Sequence, residues 1–245
     1  MIKLAGLSSA LVAIAIASGA AAQLAHAPDG GTIERINSIE IPPLKDAPFS
    51  AMVRTEWTRY FEDGANRVIA NHRSVARDRE GRVFQERRRF VPPDTQGDSL
   101  LTEVDIADPT AHTVARCLLM QRICELRAFA GRVPTALPRA GVSPNGRSAL
   151  TRDDLGTQTI GGVETIGTRE VQTLTPVGVD RPVSIVKEFW YSPRLGINIV
   201  TTRTDPRSGR EVFTVTDIQS SDPDPALFAL PKDARIVDIR RPAPR

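Results

Sequence analysis

The chain is punctuated at strand length. Turn signals recur from residue 48 onward: Pro48, Glu62-Asp63-Gly64, Asp78-Arg79-Glu80-Gly81, Pro92-Pro93-Asp94, Asp108-Pro109, Gly161-Gly162 and Asp205-Pro206-Arg207-Ser208-Gly209. No segment between them carries a sustained apolar stripe of helical period. Short runs rich in β-branched and aromatic residues, closed by Gly, Pro and Asp clusters, read as strands joined by tight turns. The spacing predicts strands over residues 51–61, 67–77, 82–90, 100–107, 155–175 (two, joined at a glycine turn), 182–191, 196–204 and 210–218. Residues 100–107 show the clearest alternation, with Leu100, Thr102, Val104 and Ile106 against Leu101, Glu103 and Asp105. The fold class is therefore mainly β, with few short helices.

Before that region the chain opens on one positive charge, Lys3, an apolar run from residue 4 to 17, and small residues at Ala20 and Ala22. These are the three parts of a secretory leader. The run is shorter than the roughly 20 residues a membrane span needs. Cleavage is expected near Ala22, or after Ala25-His26-Ala27. With no second long apolar run, the expected product is not an integral membrane protein but a periplasmic or secreted one. The expected organisation is a leader over 1–22, an extended lead-in over 23–48, one antiparallel β domain over 49–239, and a short tail over 240–245. Residues 130–154, proline- and glycine-rich without apolar periodicity, are expected to form a long surface loop.

Charge excludes one function class. The 32 basic and 29 acidic residues nearly balance, so the sequence pI of about 9.2 reflects arginine usage rather than a cationic surface. No nucleic-acid partner is expected of an exported, nearly neutral chain.

Cys117 and Cys124 are the only cysteines, so they pair with each other or stay free. If residues 113–126 form a hairpin turning at Met120-Gln121, Cys117 lies opposite Cys124 and Leu118 opposite Ile123. Cross-strand β-carbons about 4.5–5.5 Å apart are near disulfide geometry. The compartment is oxidising if the leader is real, and a disulfide is expected. Residues 222–228 read as one capped helical turn burying Leu227 and Phe228, and a short strand is expected near 234–239. The segment from Trp57 to Phe84 is echoed by that from Trp190 to Phe213, each a strand, glycine turn, strand, Asp-to-Gly turn, strand.

Catalytic chemistry has little support. There is no His-Glu-x-x-His, no Gly-x-Ser-x-Gly and no phosphate-cradling loop. His72 and His112 stand alone, so neither a metal site nor a cofactor is expected. Glu103 and Asp105 share a strand face and are read as a solvated face. In Arg87-Arg88-Arg89 alternate residues point to opposite faces, and cross-strand pairing with Glu56, Glu103 or Asp105 is the favoured reading. Phe189-Trp190-Tyr191 places rings on both faces of one strand. With Trp57 they are the candidate ligand-binding residues, as rings on the inner face of a curved sheet, or else ordinary core.

Toward the carboxy end a family likeness appears. Lys187-Glu188-Phe189-Trp190-Tyr191-Ser192-Pro193, then Gly196-Ile197-Asn198, then Asp205-Pro206-Arg207-Ser208-Gly209, then Asp224-Pro225-Ala226-Leu227-Phe228-Ala229-Leu230-Pro231 resembles the end of periplasmic carriers of the lipoprotein-localisation superfamily (LolA, LolB and the sigma-regulator RseB). Stretches such as Trp57-Thr58-Arg59-Tyr60 and Phe84-Gln85-Glu86-Arg87-Arg88 also resemble exported proteins of Acidobacteria-like soil bacteria. The first likeness implies a single large antiparallel sheet curved into an open half-barrel over a hydrophobic concavity. It implies a non-catalytic binding protein of the envelope, holding a lipid or lipoprotein-type ligand or meeting an envelope protein. The cysteine hairpin and the proline-rich insert depart from that pattern.

Overall fold

In the computed structural model, residues 39–129, 139–175 and 181–240 are described; the leader and most of the lead-in lie outside them. Thirteen strands follow one another: β1 Phe49–Tyr60, β2 Asn66–Arg77, β3 Val83–Arg88, β4 Leu101–Asp108, β5 Thr113–Leu118, β6 Ile123–Ala128, β7 Gly141–Val142, β8 Ser148–Ile160, β9 Val163–Leu174, β10 Val183–Ser192, β11 Ile197–Asp205, β12 Gly209–Gln219 and β13 Arg235–Asp238. They form one sheet in the order β13-β6-β5-β4-β3-β2-β1-β12-β11-β10-β9-β8-β7. All pairings are antiparallel except β13 on β6, which is parallel. The terminal strands β13 and β7 do not pair with each other, so the sheet stays open. The expected short helices amount to two 3-10 turns among the described residues, Leu119–Gln121 and Pro225–Phe228.

The sheet is curved. The β8–β9 turn overshoots the β10–β11 turn, and a β-carbon at Gly161 would lie 3.5 Å from the Ile218 side chain on β12. Three strand spacings of about 4.8 Å separate β9 from β12 in a flat sheet. The hairpin tip therefore folds over one face, here called the inner face.

Each face carries its own core, and each core is roofed by one end of the described chain. On the inner face Phe49, Ala51, Val53, Val75, Val83, Phe213 and Val215 form a cluster closed by Ile39, Ile41, Val163 and Leu195. Ile39 and Ile41 come from the lead-in, which Arg73 and Arg77 of β2 hold down. Arg77, with no solvent exposure, donates to the carbonyls of Ala47 at 2.9 Å, Pro42 at 2.9 Å and Leu195 at 2.6 Å. Its guanidinium also stacks on the Phe49 ring, 5.0 Å from the centroid. Arg73 donates to the Ile39 carbonyl at 3.0 Å and to Gln85 at 3.0 Å. Burial lowers both arginines to about 10, so each is still charged at neutral pH, and a buried charge needs this many partners.

On the outer face Phe84, Val104, Ile106, Ala115, Cys117 and Cys124 pack under Phe228 from the Pro225–Phe228 turn. That turn is capped as expected, with the Asp224 carboxylate accepting from the Ala226 N–H at 2.9 Å. Cys117 and Cys124 face each other across β5 and β6, with Leu118 opposite Ile123, and are joined by a disulfide. Arg122 takes the left-handed conformation (φ 51) that closes this hairpin.

Two expectations change. Residues 148–154 belong to strand β8 rather than a loop, and Gly141–Val142 pairs with Ala149 and Leu150 as a short edge strand. Residues 130–138 of that insert lie outside the described part. Glu103 and Asp105 do not form a solvated face. Asp105 is only 8 % exposed and bridges Arg87 at 2.7 Å and Arg116 at 3.1 Å, while Glu103 bridges the same two arginines. The favoured cross-strand pairing of Arg87 is thus present. The echoed segments form two meanders, β1–β3 and β10–β12, side by side in the sheet. Their strands run in opposite senses, so Trp57 points to the inner face and Trp190 to the outer.

Candidate functional site

The register decides what the inner face offers beyond its core. Thr55, Phe213, Thr201, Phe189 and Thr168 align across β1, β12, β11, β10 and β9. The next row out reads Trp57, Glu211, Arg203, Lys187, Glu170 and, on β8, Arg152. Arg203 reaches Glu211 at 3.6 Å and Asp205 at 2.9 Å, and Arg152 pairs with Glu170. Burial raises the Glu211 carboxyl, with Arg203 and Lys187 opposing that shift. The inner face thus passes from a filled apolar core, through a threonine and phenylalanine row, into a ladder of charges.

The four aromatic candidates do not share one surface. Phe189 is buried in the inner core row. Trp57 is half-buried in the charged row, with the Arg59 guanidinium 4.9 Å from its ring centroid and its indole N–H buried without a partner. Tyr191 lies near Arg77; burial raises its phenol and Arg77 opposes the rise. Trp190 lies on the opposite face, its ring against Gly167, where a β-carbon would come within 2.6 Å. Trp57 and Phe189 share the inner face but stand three strands apart, about 14 Å at normal strand spacing.

The open volume lies elsewhere. A cavity of about 490 Å³ sits on the outer face, between β1, β2 and β12 and the loop 91–99. It exists because β2 and β3 separate. Their ladder ends at Val75 opposite Gln85, and the strands meet again only at the Ala70–Val91 bridge. Side chains fill the split: Glu86 accepts from the Ser74 N–H at 2.9 Å, and Asn71 donates to the Arg88 carbonyl at 2.9 Å. Burial pushes the Glu86 carboxyl up, but hydrogen bonds from Arg88 and from Ser74 prevail and hold it low. The loop is tied at its far end by His72 and Asp98, 2.8 Å apart, and by Arg88 donating to the Ser99 carbonyl at 2.8 Å.

Nothing in the alternation of β1 marked Arg54 or Glu56 as lining a cavity. The available signal was the Pro92-Pro93…Gly97 loop, which follows a strand and returns beside the strand carrying His72. Among the described residues no group of three His, Cys, Asp or Glu is placed to hold a metal. Also among them, no helix is long and apolar enough to cross a membrane.

No family profile matches the chain, and no curated protein matches it. Similar solved structures exist. The crystal structure of MucB aligns at 11 % identity and a TM-score of 0.37, over 79 % of this chain and 60 % of that one. This chain therefore spans less than two thirds of MucB. A candidate exported protein with a YmcC-like fold from Bacteroides fragilis aligns at 8 % identity and TM-score 0.28, over 74 % of this chain and 99 % of its own. A candidate outer membrane lipoprotein-sorting domain from Vibrio parahaemolyticus aligns at 8 % and 0.19, over 74 % and 89 %. No residue role is carried across at these identities. These structures do not bear on the likeness to exported proteins of Acidobacteria-like bacteria.

Proposed function

We propose that this chain is an exported, non-catalytic binding protein of the cell envelope, and that it engages a protein partner rather than carrying an apolar ligand. The observation behind the choice is the occupied inner face. Ile39 and Ile41, 1 % and 4 % exposed, lie with Leu195 on the apolar side chains that an acyl chain would otherwise contact. Beyond them the inner face is a charge ladder, a poor solvent for a hydrocarbon tail. Exposed Val142 on the edge strand β7 offers a surface for the partner instead. The leader is taken to be removed near Ala22, which delivers the chain to the periplasm or beyond.

A carrier reading has Trp57, Phe189 and Tyr191 contacting the ligand once residues 39–48 lift away. Native mass spectrometry of protein recovered from the periplasm separates the two. The expected species is ligand-free, begins near Gln23, and takes up no fluorescent fatty acid. A co-purifying acyl species, or saturable fatty-acid uptake lost in Phe189→Asp, would overturn the proposal in favour of the carrier.

A further inference from the structure

We propose that the outer-face cavity is a binding site for a small carboxylate-bearing ligand, in size and chemistry a few residues of peptide ending in a free carboxyl group. The inference rests on the reading of the chain as a binding protein, and it places the ligand on the face opposite Trp57 and Phe189.

The cavity, about 490 Å³, is in the range of small-ligand sites. Its cations are free. Among the described residues Arg79, Arg82, Arg87, Arg88, Arg116, Arg203 and Arg207 all hold carboxylates. Arg54 and Arg210 line the cavity and are exposed, and their guanidinium groups make no ion pair or hydrogen bond within the described chain. A guanidinium presents a planar fork matched to a carboxylate. The two arise from neighbouring strands, Arg54 opposite Thr214 and Arg210 opposite Thr58. Both point outward, one on each side of Glu56.

Glu56 sets the ligand's charge. It is not within ion-pair distance of either arginine, and it leaves the three side chains with one net positive charge. That suits a monoanion and disfavours a polyphosphate.

The rest of the wall suits the part of a peptide next to its carboxyl end. Ser99 is 5 % exposed, and its hydroxyl is buried without a partner. The side-chain carbonyl of Asn71, a second lining residue, is also buried and unpartnered. Unpaired buried polar atoms are uncommon and call for a cause. A peptide amide brings one donor and one acceptor, which would satisfy these atoms once the Ser99 and Asn71 side chains both rotate to meet the cavity. Val91, Pro92 and Val212 supply an apolar wall for a side chain.

The test is a titration of the full mature protein with trialanine acetylated at its amino end, a monoanion, and with the corresponding neutral amide, followed by amide chemical-shift mapping and calorimetry. The acetylated acid is expected to shift residues 54–56, 70–72, 91–99 and 210–214. The amide should bind about tenfold more weakly or worse, since a hydrogen-bonded charge pair is worth at least that factor. Arg54→Gln and Arg210→Gln, both at exposed positions, should each weaken binding of the acid by a similar factor with an unchanged melting temperature. Equal binding of acid and amide, shifts elsewhere on the chain, or no shifts at millimolar peptide would overturn this site. Shifts elsewhere would still leave the chain a binding protein, whereas fatty-acid uptake by the native protein would overturn the reading beneath it.

Discussion

Arg77 and Leu195, 118 residues apart in the chain, are joined by a 2.6 Å hydrogen bond from a guanidinium with no solvent exposure to a backbone carbonyl. The same guanidinium binds Pro42 and Ala47, so one side chain fixes the lead-in and the β10–β11 turn to the sheet. Its removal leaves three carbonyls without their donor. Each hydrogen bond to a charged group is worth about 1.5–3 kcal/mol, so Arg77→Ala should cost about 3 kcal/mol or more in urea unfolding. Arg79→Ala, which breaks the exposed pair with Asp222, should cost under about 1 kcal/mol. Similar losses for the two would refute the clamp.

The disulfide closes a short loop, seven residues in sequence separation. Loop-closure entropy gives about 2 kcal/mol for so small a ring. The double variant Cys117→Ala, Cys124→Ala should therefore unfold at lower denaturant by that amount while keeping its far-ultraviolet spectrum. The β5–β6 register is also held by its own ladder and by β4. A loss above about 5 kcal/mol would mean that the outer core depends on the bond far more than chain entropy explains.

Gly209 and Gly64 make a matched pair of turn glycines. Both have positive φ, 122° and 81°, but a β-carbon at Gly209 would meet the Thr58 carbonyl oxygen at 1.9 Å, whereas Gly64 has nothing within 4 Å. Gly64→Ala should cost only the left-handed strain, about 1–2 kcal/mol. Gly209→Ala must in addition push β12 from β1 at the centre of the sheet, and it should cost clearly more. Differential scanning calorimetry of the two variants reads the difference directly.

Acid should destabilise the protein through Glu86 and Asp205. Each carboxyl is held below its ordinary value, Glu86 by Arg88 and Ser74 against its burial, Asp205 chiefly by Arg207 with Arg203. A depressed carboxyl adds stability that is fully present above its unfolded value, near 4.5 for Glu86 and 3.8 for Asp205. That stability is lost as pH falls through the lower folded value. Unfolding free energy should thus decline below about pH 4.5, and Glu86→Gln should flatten the decline. An unchanged slope in that variant would remove Glu86 from the account.

Much of the sheet was legible because its turns are chemically explicit. Glu62-Asp63-Gly64, Asp78-Arg79-Glu80-Gly81 and Asp205 to Gly209 each end a strand within a residue or two of the expected place. The cysteine hairpin could be read to the residue because a disulfide and a two-strand register constrain each other. The first half of β8 was hidden, since Arg152, Asp153 and Asp154 lie past the two residues that β7 covers, one in an ion pair with Glu170 and two exposed, and so lack apolar alternation. The roofing role of Ile39 and Ile41 was hidden for another reason. Two isoleucines before Pro42-Pro43 say nothing of which distant surface they cover. Arg77 looked like an ordinary strand-end charge, because the carbonyls that make its burial affordable belong to segments 30, 35 and 118 residues away. The cavity escaped because it arises from a failed strand pairing, and the split between β2 and β3 has no motif of its own.

The roofing of the inner core by the lead-in also sets an order of events. Residues 39–48 are made before their docking ground, which includes Leu195, Ile197, Ile199, Phe213 and Val215, and the central strand β1 waits for β12 as its second neighbour. Contacts this distant make for slow closure. A nascent chain therefore cannot complete this core until β12, which ends at Gln219, has been made.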